Sequence, residues 1–336
     1  EEIMYSDEDL DTAIKKGIFS SSAVDEFRDQ VSSNLINTDA EEHFKLIGGF
    51  NDIFIVIACG LLLFSSYSVI GSINASLGYL VFLILSWGLA EFFVLKRKMA
   101  LPAIMLLIAF VGSTAGLSHS LISISTESGA MMAAILSVAA AFVHWKRFSV
   151  PITVAVAIVA LIGLIVSLFK VVFPDMSSWL SPLLLVCGLF SFAFAMSWDS
   201  ADTLRKNYRS DVGFWLHLLA APLIIHPIFT GLDILNGGEE SILSMAVIVL
   251  LYLLLTIISI CIDRRVLMVS SLIYFITALS GLFESYNMMG SSSAFTGIFV
   301  GALLLLMSGY WQRVRTVLVN QLPIFVRVYL PEVKAI

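Results

Sequence analysis

At 336 residues, with 59% hydrophobic and only 13% charged side chains and a mean hydropathy of +0.95, this chain lies outside the range of soluble globular domains. Its net charge of −6 is local: residues 1–50 hold twelve acidic and four basic residues, and residues 51–336 hold thirteen and fifteen. The acidity therefore belongs to the N-terminal segment, and nothing in the composition points to nucleic-acid binding.

The chain opens with an expected acidic helical hairpin over 1–50. Ser6 or Asp7 can cap a first helix that runs to Lys16 and ends at Gly17. Ser20-Ser21-Ser22 offers a second N-cap, and Asp25 and Glu26 suit the first turn of a helix over Ala23–Val31. Leu10, Ile14, Ile18, Phe19, Val24, Phe27 and Val31 can share one apolar face. A unit of about 30 residues cannot stand alone, so it packs either on its own membrane domain or on a partner protein. It is too charged for a cleavable signal peptide.

Ten apolar stretches follow: 53–70, 76–95, 101–121, 129–145, 150–169, 179–198, 212–231, 242–262, 266–284 and 293–311. Each approaches the roughly 20 residues that cross a ~30 Å hydrocarbon core. Basic residues occupy every second gap: Lys96-Arg97-Lys98, Lys146-Arg147, then Arg205, Lys206 and Arg209, then Arg264-Arg265. The other gaps hold Glu127, Asp175, Asp233, Glu239, Glu240 and Glu284, with Lys170 their one basic residue. That alternation predicts an all-α, multi-pass membrane domain over 51–311 with about ten spans and both termini cytoplasmic. After Trp311, residues 312–336 read as a basic and apolar tail on the inner interface.

Two turns are similar. Phe93 to Pro102 and Phe142 to Pro151 both run from an aromatic residue through Lys and Arg to a proline. Basic residues hold such a turn in the cytoplasm, and proline opens the next helix where its missing N–H costs nothing. The pattern predicts tandem hairpins of one orientation. Gly112/Gly116 and Gly297/Gly301 are GxxxG pairs suited to close helix contact. Trp145, Trp179, Trp198 and Trp311 read as interfacial anchors.

Ionisable groups inside a bilayer are costly and are the default site candidates. Span seven is richest, with Asp211, His217, Pro222, His226 and Pro227. Nine residues turn a helix by about 900°, so the two imidazoles point to opposite faces and cannot share a metal. Each proline frees a carbonyl, at Leu218 and Leu223. His217, Pro222, His226 and Pro227 are therefore candidate cavity residues, against the alternative that they are ordinary helix contacts. Ser270, Tyr274 and Thr277 share one face of span nine and suit either a polar path or interhelical hydrogen bonds. Glu91 suits pairing with a nearby Lys or Arg, or proton transfer. His119 and His144 read as interfacial.

Cys59, Cys187 and Cys261 lie inside apolar stretches without metal spacing. No P-loop, zinc-protease or serine-hydrolase motif is present. No catalytic residue, metal site or cofactor is assigned; bis-histidine haem needs facing histidines on different helices.

The run Ala13-Ile14-Lys15-Lys16-Gly17-Ile18-Phe19-Ser20, an acidic second helix, many spans, and a tail carrying Leu322-Pro323 and Leu330-Pro331 resemble uncharacterised bacterial polytopic membrane proteins. The resemblance covers the short ends and general layout, and implies a bacterial inner-membrane location. Two functional readings follow. One is binding or transport of a small or lipid-like molecule through a cavity bordered by span seven. The other is a membrane scaffold or sensor that docks a partner through the N-terminal hairpin.

Overall fold

The computed structural model describes residues 13–26, 50–122, 127–203, 205, 208–231, 242–285, 292–331 and 333. Residues 1–45 and 46–336 form separate compact units. In the first, residues 13–15 and 21–26 are helical. Gly17, at φ +67°, closes the first helix: Ile18 N–H donates to Ala13 O at 2.9 Å and Gly17 N–H to Ile14 O at 2.9 Å. These are the paired bonds of a left-handed C-terminal cap. Ser20 Oγ accepts from Ala23 N–H at 3.2 Å, so the first serine of the run caps the second helix, which begins at Ser21, two residues ahead of the expected start at Ala23. The expected continuation to Val31 lies outside the described residues.

The second unit is a succession of helices: α1 (Phe50–Gly71), α2 (Ala75–Ala90, continuing as a π-helical turn Glu91–Lys96), α3 (Ala100–Ile122), α4 (Glu127–Phe148), α5 (Ile152–Val172), α6 (Leu180–Ser200), α7 (Tyr208–Gly231), α8 (Ile242–Ile262), α9 (Val266–Ser285), α10 (Ser292–Gln321) and the short α11 (Ile324–Arg327). Among the described residues, α1–α7 and α10 make eight helices long and apolar enough to cross a membrane, and shorter apolar stretches lie in α8 (Ala246–Ile262) and α9 (Val266–Thr277). The chain is an all-α, multi-pass membrane protein. Large apolar side chains such as Phe54, Leu61 and Phe64 face outward on α1, which is favourable in acyl chains and unfavourable in water.

α10 runs ten residues past the apolar stretch that ends at Trp311. Hydropathy falls there, yet no helix-breaking residue intervenes before Pro323. Buried Arg315 then donates to Pro331 O at 2.6 Å, which holds the terminal segment against α10.

The most extensive helix pairs are α6–α7, α4–α5 and α2–α3, and α8–α9 forms a fourth hairpin that pairs as closely as α3 does with α4. Successive odd helices also touch, from α1 through α3, α5 and α7 to α9, so the hairpins stand side by side around an inner row. One detail repeats in all four hairpin turns. Lys98, Ser149, Arg205 and Asp263 adopt φ of 52°, 52°, 53° and 55°. A residue with a Cβ costs about 1–2 kcal/mol in this conformation, so the same tight reversal is imposed four times. The tandem-hairpin expectation, drawn from the two proline-ended turns and the similar basic turn at Arg264-Arg265, thus extends to four.

α7 is the most enclosed span, with more than half of its apolar window buried. Ala221, Ile225 and Phe229 form one core with Ile248, Ile262 and Leu267. Val212 and Leu216 form another with Ala155 and Ala195. Of the four GxxxG glycines, only Gly116 makes a close approach: a Cβ there would lie 2.3 Å from Tyr79, whereas Gly112, Gly297 and Gly301 face open space. Trp179 is exposed, as an interfacial anchor should be, but Trp311 is buried because its indole has a specific partner, described below.

Candidate functional site

The hairpin turns after α6 and α8 converge on a buried cluster of charges. Asp199, in the last turn of α6, is 2% exposed. Arg264 grips it through Nη2–Oδ1 at 2.7 Å and Nε–Oδ2 at 3.2 Å. Arg264 Nη2 also reaches Ser210 O at 2.8 Å and Ser210 Oγ at 2.9 Å, and its carbonyl accepts from Ser259 Oγ. On the other side of the carboxylate, His217 Nε2 lies 3.0 Å from Asp199 Oδ2. The fit depends on Gly213, where a Cβ would fall 2.3 Å from Asp199 Oδ1.

A second carboxylate, Asp263, extends the cluster. Arg205 Nη1 donates to its Oδ2 at 3.2 Å, while Arg205 Nη2 donates to the carbonyls of Ile262 and Asp263 at 3.0 Å each. Trp311 Nε1 donates to Asp263 Oδ1 at 2.7 Å, and Arg315 Nε stands 3.9 Å from the same oxygen. Burial, reinforced by the neighbouring Arg264 charge, pulls the Arg205 guanidinium down to about 10, so it remains cationic at neutral pH. Three guanidiniums and two carboxylates, with buried Asp202 in the turn after α6, tie α6, α7, α8, the α8–α9 turn and α10 together. Breaking one member of such a buried set costs about 3–5 kcal/mol because the remaining charge is left without compensation. None of Asp199, Arg205, Asp263, Arg264 or Arg315 stands among the sequence candidates. The available signal was the presence of Asp199, Asp202 and Asp263 in turns otherwise occupied by basic residues.

The sequence candidates divide between two faces of α7. His217 is fully buried against Asp199 and Phe192, and its Nδ1 has no hydrogen-bond partner among the described residues. His226 faces outward, as the nine-residue spacing requires. Its Nδ1 lies 2.8 Å from Tyr274 Oη on α9. Tyr274 in turn stacks on Phe229, with centroids 4.4 Å apart and planes 6° from parallel. Thr277 is exposed one turn further along α9. His226 and Tyr274 therefore meet at one seam, separate from His217. α7 continues as helix through both Pro222 and Pro227, the latter buried. Thr230 Oγ1 donates back to His226 O at 2.8 Å.

Glu91 belongs to neither group. It forms a two-pronged pair with Arg147 across the first two hairpins, Nε–Oε1 at 2.8 Å and Nη2–Oε2 at 2.7 Å. His144 is completely buried rather than interfacial, packed among Trp87, Phe110 and Phe148. No group of three His, Cys, Asp or Glu among the described residues is placed to hold a metal ion. An apolar cavity of about 560 Å³ opens between α1, α2 and α3. No protein-family model, curated protein or solved structure matches the chain; the arrangement of its own residues carries the functional reading.

Proposed function

We propose that this protein of the bacterial inner membrane binds a lipid-like molecule drawn laterally from the bilayer at the α7–α9 seam, holding it for presentation or transport. The observation that carries the reading is the outward-facing His226–Tyr274 pair, 2.8 Å apart on two membrane helices. Polar groups facing acyl chains are expensive and are retained where they meet something polar. His226 lies about 24 Å along α7 from Ser210 at the charge cluster, so the seam belongs to the half of the bilayer opposite the basic turns. An imidazole nitrogen and a phenol can exchange their mutual bond for bonds to a ligand hydroxyl, carbonyl or phosphate, while the surrounding apolar surface accepts its chains. The buried charge cluster supplies a rigid base for this seam.

The test is extraction of lipids that co-purify with the protein from native membranes, quantified by mass spectrometry. His226→Ala and Tyr274→Phe should each lower one lipid-like species about tenfold, the effect of one lost hydrogen bond to the ligand, without changing melting temperature by more than a few degrees. An unchanged lipid profile in both variants overturns the seam as a binding site.

The scaffold reading rests on Ile18 and Phe19, which are 64% and 50% exposed at the turn of the N-terminal unit. Deleting residues 1–50 should leave membrane insertion intact, because the basic turns set orientation. Loss of a specific co-purifying protein on deletion would favour docking over lipid binding.

A further inference from the structure

The cavity between α1, α2 and α3 has a shape and a charge at its mouth that the α7–α9 seam does not share. It holds about 560 Å³ and is lined by Phe64, Tyr67, Tyr79, Phe82, Met105 and Ile108, among others. Ser113 is also at its wall, but its hydroxyl is already spent on Phe110 O at 2.9 Å. The volume falls within the range of small-molecule sites, and the lining is apolar apart from the tyrosine hydroxyls.

The slot is long. Its α3 wall runs from Leu101 to Ser113, about 18 Å at helical rise. One leaflet of a ~30 Å hydrocarbon core is about 15 Å deep, so the slot matches the length of a single acyl chain. At the far end Tyr67 and Tyr79 close it, with ring centroids 4.8 Å apart. The near end begins at Leu101, within one helical turn of the Lys96-Arg97-Lys98 turn, whose three side chains are exposed. The second basic turn is tied to this one through Arg147 and Glu91, which brings exposed Lys146 to the same rim. Five cations at that rim face one carboxylate, Glu91. A surplus of Lys and Arg at the membrane surface attracts anionic headgroups.

We infer that the α1–α3 slot is a binding site for an anionic glycerophospholipid of the leaflet that borders the basic turns. One acyl chain fills the slot as far as Tyr67 and Tyr79, and the phosphate rests against Lys96, Arg97 and Lys98. The site is independent of the α7–α9 seam, which lies on other helices and toward the opposite leaflet.

Gly112 provides a clean test because it lines the slot and a Cβ built there meets no atom within 4 Å. Gly112→Leu therefore fills the space without a backbone clash and gains helix propensity. The full-length protein, delipidated and then incubated with dioleoylphosphatidylglycerol or dioleoylphosphatidylcholine, is to be read by native mass spectrometry. Wild type should retain phosphatidylglycerol far more strongly, and Gly112→Leu should lose the retained lipid. Lys96→Gln with Arg97→Gln should lower phosphatidylglycerol affinity about thirtyfold, the factor for two surface cations, while leaving phosphatidylcholine unchanged. A phosphatidylglycerol analogue with a photoreactive diazirine on its acyl chain should label α1–α3 peptides of the wild type, a readout that needs no variant to fold. Equal retention of the two lipids, full retention by Gly112→Leu, or labelling outside α1–α3 would each overturn the inference.

Discussion

Replacing Arg264 by Met tests whether the charge cluster organises the second half of the protein. The substitution keeps the aliphatic stem but removes both bonds to Asp199 and both to Ser210. Asp199, 2% exposed, would keep His217, at 3.0 Å, as its one side-chain partner among the described residues. An exposed ion pair would cost less than about 1 kcal/mol to lose. A buried pair that leaves one charge uncompensated costs about 3–5 kcal/mol. At roughly 2 °C per kcal/mol for a chain of this size, the melting temperature in detergent should fall by about 6–10 °C. The double variant Asp199→Leu/Arg264→Met removes both charges and should recover most of that loss. Its recovery would separate electrostatic imbalance from a packing defect. A shift below about 2 °C in the single variant, the surface-pair value, would refute the idea that this cluster fastens α6, α7 and the α8–α9 turn.

Three further outcomes are expected. Gly213→Ala should destabilise the protein by about 1–3 kcal/mol through overpacking, since the new methyl would sit 2.3 Å from Asp199 Oδ1; an unaltered melting temperature would show that the carboxylate moves aside freely. Ser149→Gly should raise stability by up to about 1 kcal/mol and Ser149→Val should lower it, because φ is 52° there and branching at Cβ worsens the left-handed conformation; the reverse order in thermal melts would argue against the turn geometry. In a background lacking Cys59, Cys187 and Cys261, cysteines placed at Asp175 and Glu239 should react with an impermeant thiol reagent from outside intact cells, whereas those at Lys98 and Lys206 should not. Labelling of both sets from one side would exclude the ten-span topology.

Much of the architecture was legible from one dimension. Hydropathy finds membrane helices because each satisfies its own backbone hydrogen bonds, so length and apolarity suffice without knowledge of any neighbour. Capping is equally local, which is why Gly17 and Ser20 were readable. The opposed faces of His217 and His226 follow from the 3.6-residue repeat alone. Even the hairpin repeat showed in the basic, proline-ended turns.

What the tertiary structure decided is which side chains meet. Asp199 and Arg264 are 65 positions apart, His226 and Tyr274 48, and Glu91 and Arg147 56. Helix periodicity places each residue on a face but says nothing about which helix that face will touch. Arg264 looked like a topology-setting turn residue, and only packing of α7 against α6 and α9 removes it from water. A charge acquires such a role through its buried surroundings, because desolvation makes a nearby opposite charge necessary rather than incidental. The α1–α3 slot is likewise a property of three helices together: Gly112 reads as a packing glycine in its own segment, and only the neighbouring walls show that it faces a void.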